Sequence, residues 1–399
     1  FVVVVLLLLV AVVAVVFSGL GPGRALRMGS VASSVGLSRD STCFAGALSL
    51  GSTSGRSAPS QAEPIRVAVC GAAGQIGYSL LPMIASGCMF GPHQRVILQC
   101  LDLNLPEVKE NMRGISMELQ DGNFPLLHKA VFTTDDAEAF RGADYCILLG
   151  AFPRQEGRPK SEAMEKNVLI FRTMGTAIQE HVKGDCKILV VGNPAHTNAL
   201  ICAHYAPHLP KENFFALTRL DQNRAAGQIS EHLSVSVADV RNVVIWGCHA
   251  KFPDVEHSVV RGKLLSQVMS SPEDRNWLNE LFRQEMQTRG AAIVKARKAS
   301  SAMSTARAIV DHIQDLHFGT RPGEFVSMGV WSDHQQYGLA GGLIYSVPVV
   351  CLGQGRWRVH SDLKLSQTSK DRLKQVEVDL IAERELAREI FSKHSPSLF

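Results

Sequence analysis

The sequence lacks the cysteine spacing of a metal site or a redox pair, because none of its nine cysteines falls in a Cys-x-x-Cys motif. Their odd number and scattered positions do not suit a disulfide framework, so we predict neither a thiol switch nor a bound metal. Excess charge is also lacking. A net charge of +4 over 399 residues falls far short of the clustered basic surface that nucleic-acid binding requires, so we expect no nucleic-acid partner.

The balance of apolar and charged residues excludes further classes of protein. Hydrophobic residues make up 46% of the chain and charged residues 20%, which excludes a disordered, collagenous or disulfide-stapled protein. A chain of 399 residues is too long for one compact domain and about right for two, taking roughly 100–200 residues per domain. We therefore expect a globular, enzyme-sized protein of two domains.

Acidic residues are almost absent from the first 62 positions. Phe1–Phe17 contain no polar side chain, and Ser18–Ala62 are rich in Ser, Gly and Ala, with four arginines against one acid, Asp40. The apolar run is short for a membrane span but suits the core of a signal peptide, and the acid-poor stretch after it is typical of a transit peptide. Residues 1–62 supply three of the four net positive charges, so the rest of the chain is nearly neutral.

These two parts predict a leader over residues 1–62 that directs the chain into the secretory route and then into an organelle such as a plastid. Mitochondrial import, a cytoplasmic location, a retained membrane anchor and an upstream segment that is never translated stay open as alternatives. The chain does not begin with Met, so further residues are expected upstream. Contact with a membrane is expected only through the leader, if it is retained.

Beyond residue 62, short apolar runs alternate with longer helical patterns. The strand-like runs are Ile65–Cys70, Val96–Leu101, Tyr145–Gly150, Lys187–Gly192 and Val243–Trp246. Runs that are apolar on both faces are typical of buried parallel strands, and the segments between them are long enough for crossover helices. The pattern predicts an α/β protein: a Rossmann-type doubly wound parallel sheet over residues 63–218, followed by an α+β substrate-binding and catalytic domain over residues 219–399.

Further elements are predicted towards the C-terminus. Helical patterns cover about Asp274–Ala299 and Ser369–Phe391, and strand candidates cover Phe325–Val330 and Leu343–Val350. Along the last helix, five apolar residues recur at helical spacing, which predicts a stripe that faces the core: Leu373, Val376, Leu380, Ala387 and Ile390.

A glycine-rich turn, Gly71-Ala-Ala-Gly74-Gln-Ile-Gly77, joins the first predicted strand to the helical pattern Tyr78–Ala85. Glycines let the chain turn tightly and let backbone N–H groups approach a pyrophosphate at a helix N-terminus. Asp102 follows the second predicted strand, where the adenosine ribose of a cofactor would lie; the alternative is a surface Asp that merely ends a strand. A carboxylate there would bind ribose hydroxyls and repel a 2′-phosphate, which predicts NAD rather than NADP.

Polar and cationic residues follow three of the later strands. The loop after the third strand contains Arg154, whose planar fork suits a carboxylate, although by itself this loop also fits a solvated basic surface. Asn193 follows the fourth strand, the segment Leu217–Arg224 opens a helix, and His249 follows the fifth strand. A catalytic His needs a carboxylate that fixes its tautomer, and Asp221 is available for that role. Spacing alone does not select one of the fourteen histidines.

From about Pro64 to the C-terminus the chain resembles the malate dehydrogenases of the cytosolic type, within the lactate/malate dehydrogenase family. The resemblance is carried jointly by the glycine-rich turn and by the segments 117–121 (MELQD), 191–195 (VGNPA), 217–221 (LTRLD), 290–298 (GAAIVKARK) and 324–330 (EFVSMGV). It implies NAD-dependent, reversible oxidation of (S)-malate to oxaloacetate, a reaction of the tricarboxylic acid cycle, carried out by a homodimer on a small dicarboxylate substrate.

The resemblance also implies roles for individual residues. His249 would exchange the malate hydroxyl proton as acid/base, with Asp221 as its partner. Arg224 would bind the C1 carboxylate, Arg154 the second carboxylate that distinguishes malate from lactate, and Asn193 would orient the substrate oxygen. The cofactor-binding positions it implies are Gly71, Ala72, Gly74, Gln75, Ile76, Gly77, Asp102, Asn167 and Val191, with the pair Ser300-Ser301 near the nicotinamide.

The chain departs from the family pattern at several positions. Lys160 stands where the family has the arginine of a mobile loop, six positions after the specificity arginine. Lys160 is expected to bind substrate in its place, but an ammonium loses the bidentate fork, and Arg158 is an alternative donor. The segment after His249 is two residues shorter than the family pattern, and three more positions carry unusual residues: Cys248, His196 and Met174.

Two alternatives to an active malate dehydrogenase follow from these departures. The first is a relative that acts on another 2-hydroxy acid, for which the retained Arg154 favours a dicarboxylate. The second is a catalytically weak NAD-binding relative, because Lys160 replaces the loop arginine.

Overall fold

The computed structural model describes residues 63–153, 157, 159–248, 253–333 and 337–394, with the side chains of Lys160 and His394 left out. The predicted leader, Arg154, Arg158 and His249 lie outside the described residues. Within these ranges, no helix combines the length and the apolar character needed to cross a membrane.

Fourteen strands occur in the described ranges. They are β1 Ile65–Cys70, β2 Val96–Leu101, β3 Leu127–Thr133, β4 Tyr145–Leu148, β5 Lys187–Val190, β6 Phe214–Ala216, β7 Val240–Arg241, β8 Val244–Ile245, β9 Pro253–Asp254, β10 Val259–Val260, β11 Lys263–Leu264, β12 Val326–Trp331, β13 Ile344–Gly353 and β14 Arg356–Val359.

The described α-helices number eleven. They are α1 Gln75–Ala85, α2 Pro106–Asp121, α3 Asp136–Phe140, α4 Lys160–His181, α5 Ala195–His204, α6 Arg219–His232, α7 Leu265–Val268, α8 Pro272–Asn279, α9 Leu281–Arg297, α10 Met303–Phe318 and α11 Gln367–His394.

Nine of the strands form one sheet in the order β14-β13-β12-β6-β5-β4-β1-β2-β3. The part from β3 to β6 is parallel throughout, and its order 3-2-1-4-5-6 is that of a doubly wound dinucleotide-binding sheet. Strands β12, β13 and β14 extend the sheet in antiparallel fashion, and β12 joins β6 through the pairing of Gly329 with Ala216. The predicted Rossmann-type sheet is therefore present.

Burial on both faces of the sheet explains why its strands are apolar without alternation. In β1, Val67 and Val69 pack into one apolar cluster, whereas Ala68 and Cys70 pack into a second one. All four side chains are fully buried. Because helices cover both sides, successive residues of a central strand must all be apolar.

The stripe predicted along the C-terminal helix is confirmed. All five of its residues are at most 6% exposed. Leu373, Val376 and Leu380 belong to the first cluster, and Ala387 and Ile390 to the second. Helix α11 therefore closes both apolar layers.

Several predicted elements need correction. The run Val243–Trp246 is no strand of the parallel sheet: only Val244–Ile245 pair, antiparallel to Pro253–Asp254, in a separate two-stranded sheet. The helical pattern Asp274–Ala299 is broken at Glu280, where ψ is −73° between α8 and α9. The first of these two helices begins earlier than predicted, at Pro272, where the Ser271 hydroxyl accepts a hydrogen bond from the Asp274 N–H.

Three strands of the large sheet were not predicted. Edge strand β3 is half exposed, and its sequence LHKAVFT mixes polar and apolar residues. Strand β6 has only three residues, and β14 alternates arginines with apolar residues. Each therefore lacks the long apolar run that marks a buried strand. The division into domains at residues 218 and 219 stays a prediction, since β12 to β14 continue the sheet of the first half.

Two helical glycines form a matched pair for testing backbone packing. A Cβ on Gly77 in α1 would lie 2.2 Å from the Ala72 carbonyl oxygen, whereas one on Gly114 in α2 would have nothing within 4 Å. We expect Gly77→Ala to lower the free energy of unfolding by about 2 kcal/mol or more through overpacking. Gly114→Ala should raise it by about 1 kcal/mol through helix propensity. Urea unfolding at one protein concentration measures both, and equal shifts would contradict the close approach of α1 to the turn.

Candidate active site

Three strands bring their carboxyl ends together where the sheet order reverses. Gly71, which follows β1, has φ +85°, and a Cβ on it would lie 3.0 Å from the backbone nitrogen of Gly150. A Cβ on Gly192, which follows β5, would lie 2.9 Å from the Gly150 carbonyl oxygen and 2.6 Å from the Ala151 Cβ. The crevice at such a switch point is where doubly wound sheets bind their ligands.

Helix α1 begins at this crevice and is left open for an anion. Gly74 is its N-cap, and no side chain among the described residues forms a capping hydrogen bond with the helix. Gly74 and Gln75 are exposed, Ala72 and Gly77 are buried, and Ile76 packs against the first apolar cluster. An uncapped helix N-terminus with a glycine-rich approach supplies N–H groups and a favourable dipole for a pyrophosphate.

Asp102 is fixed beside the glycine-rich turn by two backbone groups. Its Oδ2 accepts a hydrogen bond from the Ala73 N–H at 2.8 Å, and its Oδ1 accepts one from the Leu103 N–H at 2.8 Å. The side chain of Asn111 donates to the Ala73 carbonyl at 2.8 Å from the other direction. The carboxylate therefore adds a fixed negative charge to the place predicted for the adenosine ribose, and these residues fit a dinucleotide without a 2′-phosphate.

Two further residues that were predicted to bind the cofactor form hydrogen bonds with backbone groups near the crevice. Asn167 is fully buried, its Oδ1 accepts from the Phe152 N–H at 2.7 Å, and its Nδ2 donates to the Phe152 carbonyl at 3.0 Å. Val191 donates its N–H to the Leu148 carbonyl at 2.9 Å and packs against the first apolar cluster. Asn167 thus fixes the chain two residues before Arg154; that either residue contacts the cofactor stays a prediction.

Asp221, which is fully buried, and Arg224, which is half-buried, form an ion pair on the first turns of α6. The Arg224 Nη1 lies 3.4 Å from the Asp221 Oδ1, and its Nη2 donates to the Ser301 hydroxyl at 3.2 Å. Burial lowers the pKa of Arg224, the Asp221 carboxylate opposes that shift, and the nearby Arg289 adds to it. A guanidinium that is largely removed from water and aimed by two partners is suited to binding a carboxylate.

The residues that support this pair were not found by sequence reasoning. The hydroxyls of Thr218 and Ser346, both fully buried, lie 2.9 Å apart. Ser346 also exchanges two backbone hydrogen bonds with Gly247, at 2.8 and 2.9 Å, and the Asp221 N–H donates to the Thr218 carbonyl at 3.1 Å. This network joins the start of α6 and strand β13 to the residue two positions before His249.

The remaining predicted site residues are placed only in part. His249 and Arg154 lie outside the described residues, and Lys160 begins α4 with its side chain outside them as well. Asn193 is exposed after β5 and precedes Pro194 through a cis peptide bond. Among the predicted site residues that the structure describes, Asp221, Arg224 and Ser301 are brought together, and the glycine-rich turn is brought to Asp102.

The unusual residues at three family positions pack against apolar surroundings. Cys248 is half buried against the first apolar cluster. Met174 packs against the second one, and His196 is 4% exposed inside α5. The structure therefore accommodates each of the three without disturbing the sheet.

One carboxylate and imidazole group in the described ranges has the spacing of a metal site. Ligand atoms of Asp254, Glu256 and His257 lie within 4.8 Å of one another. The Asp254 carboxylate already accepts from the indole N–H of Trp246 at 2.9 Å and from the hydroxyl of Ser369 at 2.8 Å. These bonds give the acid a structural role, and the absence of a metal stays a prediction.

Comparison with known protein families accounts for nearly all of the chain after residue 62. The lactate/malate dehydrogenase NAD binding domain matches residues 65–215, and the lactate/malate dehydrogenase alpha/beta C-terminal domain matches residues 218–390. The chain belongs to the lactate/malate dehydrogenase family. The resemblance inferred from the sequence motifs and the prediction of NAD as cofactor are both confirmed.

Individual relatives agree with this assignment. A cytoplasmic malate dehydrogenase of Medicago sativa is 48% identical over 336 residues, which cover 83% of this chain and 99% of that protein. The solved structure of malate dehydrogenase from Naegleria fowleri aligns with a TM-score of 0.77 at 39% identity, covering 82% and 99%. A Trichomonas vaginalis lactate dehydrogenase in complex with NADH and oxamate aligns with a TM-score of 0.76 at 32% identity, covering 82% and 99%.

The position of Asp102 predicts a test of coenzyme choice. Asp102→Ser keeps an oxygen for the Ala73 N–H but removes the charge that would face a 2′-phosphate. Because like charges near a protein surface repel by about 1–4 kcal/mol at contact, we expect the ratio of kcat/KM with NADPH to that with NADH to rise about tenfold or more. Asp185→Ser, in the exposed turn before β5, is the control. An unchanged ratio in the Asp102 variant would place the carboxylate away from the ribose.

Proposed function

We propose that this chain interconverts (S)-malate and oxaloacetate with NAD, using His249 as acid/base and Arg154, Lys160, Asn193 and Arg224 to hold the substrate. The activity predicted from the sequence, NAD-dependent malate dehydrogenation, is confirmed by the family match and by relatives that are 48% identical over most of the chain. The assignment of roles to residues is the proposal. The observation that carries it is the half-buried Arg224 guanidinium, held between Asp221 and Ser301.

Malate has two carboxylates, and each needs a cation in a site that excludes water. Arg224 is the cation that the structure describes. Because its Nη1 and Nη2 are already oriented by Asp221 and Ser301, it offers a fixed fork to the C1 carboxylate. Arg154 follows Phe152, whose backbone Asn167 holds, and it takes the second carboxylate. That contact selects a dicarboxylate against lactate.

Oxidation of malate removes a hydride from C2 and a proton from the hydroxyl on C2. NAD, bound along the glycine-rich turn, supplies the acceptor for the hydride. His249 takes the hydroxyl proton as the C2–O bond becomes a carbonyl, and it returns the proton in the reverse direction. The Asp221 carboxylate orients the imidazole and stabilises its protonated form. Asn193 orients the reacting oxygen, and Lys160 supplies positive charge beside it.

Two of the proposed substrate-binding cations, Arg154 and Lys160, are tested by oxaloacetate reduction with NADH. We expect Arg154→Gln to abolish measurable reduction, with kcat/KM falling roughly hundredfold or more, because the second carboxylate of the substrate loses its charged partner. Lys160→Arg should raise the rate, because it restores a bidentate donor. Arg113→Gln on the exposed surface of α2 is the control. If Arg154→Gln leaves the rate unchanged, the substrate assignment is wrong.

Two further measurements separate the alternatives. Loss of rate in Arg158→Gln would show that Arg158, rather than Lys160, supplies the loop cation. A panel of 2-oxo acids with NADH distinguishes a malate dehydrogenase from a relative with another substrate. An enzyme that binds NADH, as followed by fluorescence titration, but reduces no oxo acid would instead be a catalytically weak member of the family.

We further propose that the chain forms a homodimer and that residues 1–62 are a leader. Exposed apolar side chains on three described helices support an interface with a second copy: Tyr78 on α1, Met117 on α2 and Val294 on α9 are each about half exposed. The leader proposal rests on the apolar run, the arginines and the scarcity of acids in the sequence. We favour a plastid reached through the secretory route, with the mitochondrion and the cytoplasm as alternatives.

Protein isolated from its own cells tests both proposals in one preparation. Its intact mass should correspond to a chain that begins near residue 63, because a targeting leader is removed on arrival. Its sedimentation should correspond to twice that mass, with Met117→Glu shifting it towards the monomer. A full-length chain or a monomeric wild type would overturn the respective proposal.

A further inference from the structure

A cavity of about 460 Å³ lies outside the residues assigned to the active site. Its walls come from the connection between α10 and β12, from the end of β13 and from the last residues around β14. Its volume falls in the usual range of small-molecule pockets. Two apolar residues of its lining are exposed, Phe318 by 55% and Leu352 by 50%. Within the described residues, no other surface covers either side chain.

One asparagine holds one side of the cavity wall in place. Asn242 donates from its Nδ2 to the Gly323 carbonyl at 3.1 Å and accepts at its Oδ1 from the Phe325 N–H at 3.1 Å. The Thr320 N–H donates to the Cys351 carbonyl at 3.0 Å and ties the same connection to β13. A wall fixed on both sides is preorganised, so a ligand would lose little free energy in ordering it.

Positive charge in the cavity lining exceeds negative charge. Arg321 and Arg358 both line it and both are exposed, and within the described residues neither guanidinium forms an ion pair or donates a side-chain hydrogen bond. The one lining carboxylate, Glu324, is paired with Arg241. His360 adds a buried ring nitrogen, Nδ1, that has no hydrogen-bond partner among the described groups. Two guanidinium forks and a ring nitrogen are suited to a phosphate dianion.

Aromatic rings complete the lining. The imidazole of His360 stacks on Phe325 with ring centroids 4.9 Å apart and planes 26° apart, and Phe318 stands at the rim. We propose that this cavity is a second ligand site, which binds an organic phosphate carrying a planar ring, of the size of a nucleoside monophosphate. Arg321 and Arg358 bind the phosphate, and the exposed apolar residues of the lining, Phe318 and Leu352, contact the planar group.

Calorimetric titration of the full chain with adenosine monophosphate tests the site. Saturating NADH is present throughout, so that the dinucleotide site is filled. We expect one binding site per chain, with adenosine and inorganic phosphate each binding roughly tenfold more weakly or worse, because each lacks one half of the contacts. Arg321→Gln combined with Arg358→Gln should weaken adenosine monophosphate by about tenfold or more.

The matched control is Arg356→Gln, an exposed arginine two positions along β14 that is absent from the lining. It should bind adenosine monophosphate as the wild type does. The double variant should keep its NADH affinity and its oxaloacetate reduction, because neither arginine belongs to the active site. If the wild type does not reduce oxaloacetate, the proposed function is wrong, but this titration still tests the second site. The proposal is overturned if the double variant binds like the control, or if NADH abolishes binding altogether.

Discussion

Contact of backbone with backbone at the carboxyl ends of β1, β4 and β5 is the constraint on which the site depends. Gly71 and Gly192 approach Gly150 so closely that a side chain at either position would meet main-chain atoms at about 3 Å. Helix α1 also packs closely against the turn after β1, at Gly77. Because the three loops are this close, the N-terminus of α1, the Asp102 carboxylate and the start of the Arg154 loop share one crevice.

Burying the charged side chains of α6 costs free energy that packing alone does not offset. Asp221 is completely buried and lies against an arginine with an imperfect contact of 3.4 Å. On another side of the helix, Arg219 pairs with Asp315 and Asn223 bonds to Asp311, both on α10. Buried ion pairs contribute little net stability, since desolvation offsets their attraction. Their value here is orientation, because α6 is held against α10 in one rotational setting.

Sequence reasoning found what is local and missed what is brought together by folding. The glycine-rich turn, Asp102 and the i,i+3 pair Asp221 and Arg224 are each visible within one element and the turn beside it. Thr218 and Ser346 are 128 positions apart, and no periodicity links two hydroxyls at that distance. The contact between Ser301 and Arg224 was likewise not predicted, because Ser301 reaches Arg224 from the connection between α9 and α10.

The same distinction explains the errors in the fold. Central strands such as β1 and β2 are apolar on both faces and were found with their bounds, whereas edge strand β3 has one open side and no such pattern. The run Val243–Trp246 was predicted to be a core strand because it is apolar. It is indeed buried, but it lies outside the parallel sheet. An apolar composition predicts that a segment is buried, and it does not predict which strand the segment pairs with.

Strand β1 is both the first described element of the chain and the middle of the parallel sheet. It leaves the ribosome before either of its neighbours exists: Ile65 pairs with Val96, and Val67 has to wait for Tyr145. Until then both of its edges lack a partner strand, and its two faces are covered only when helices such as α10 and α11 have been made. Because such long-range pairings form slowly, the chain exposes apolar surface until these helices pack, and transiently exposed apolar surface favours aggregation.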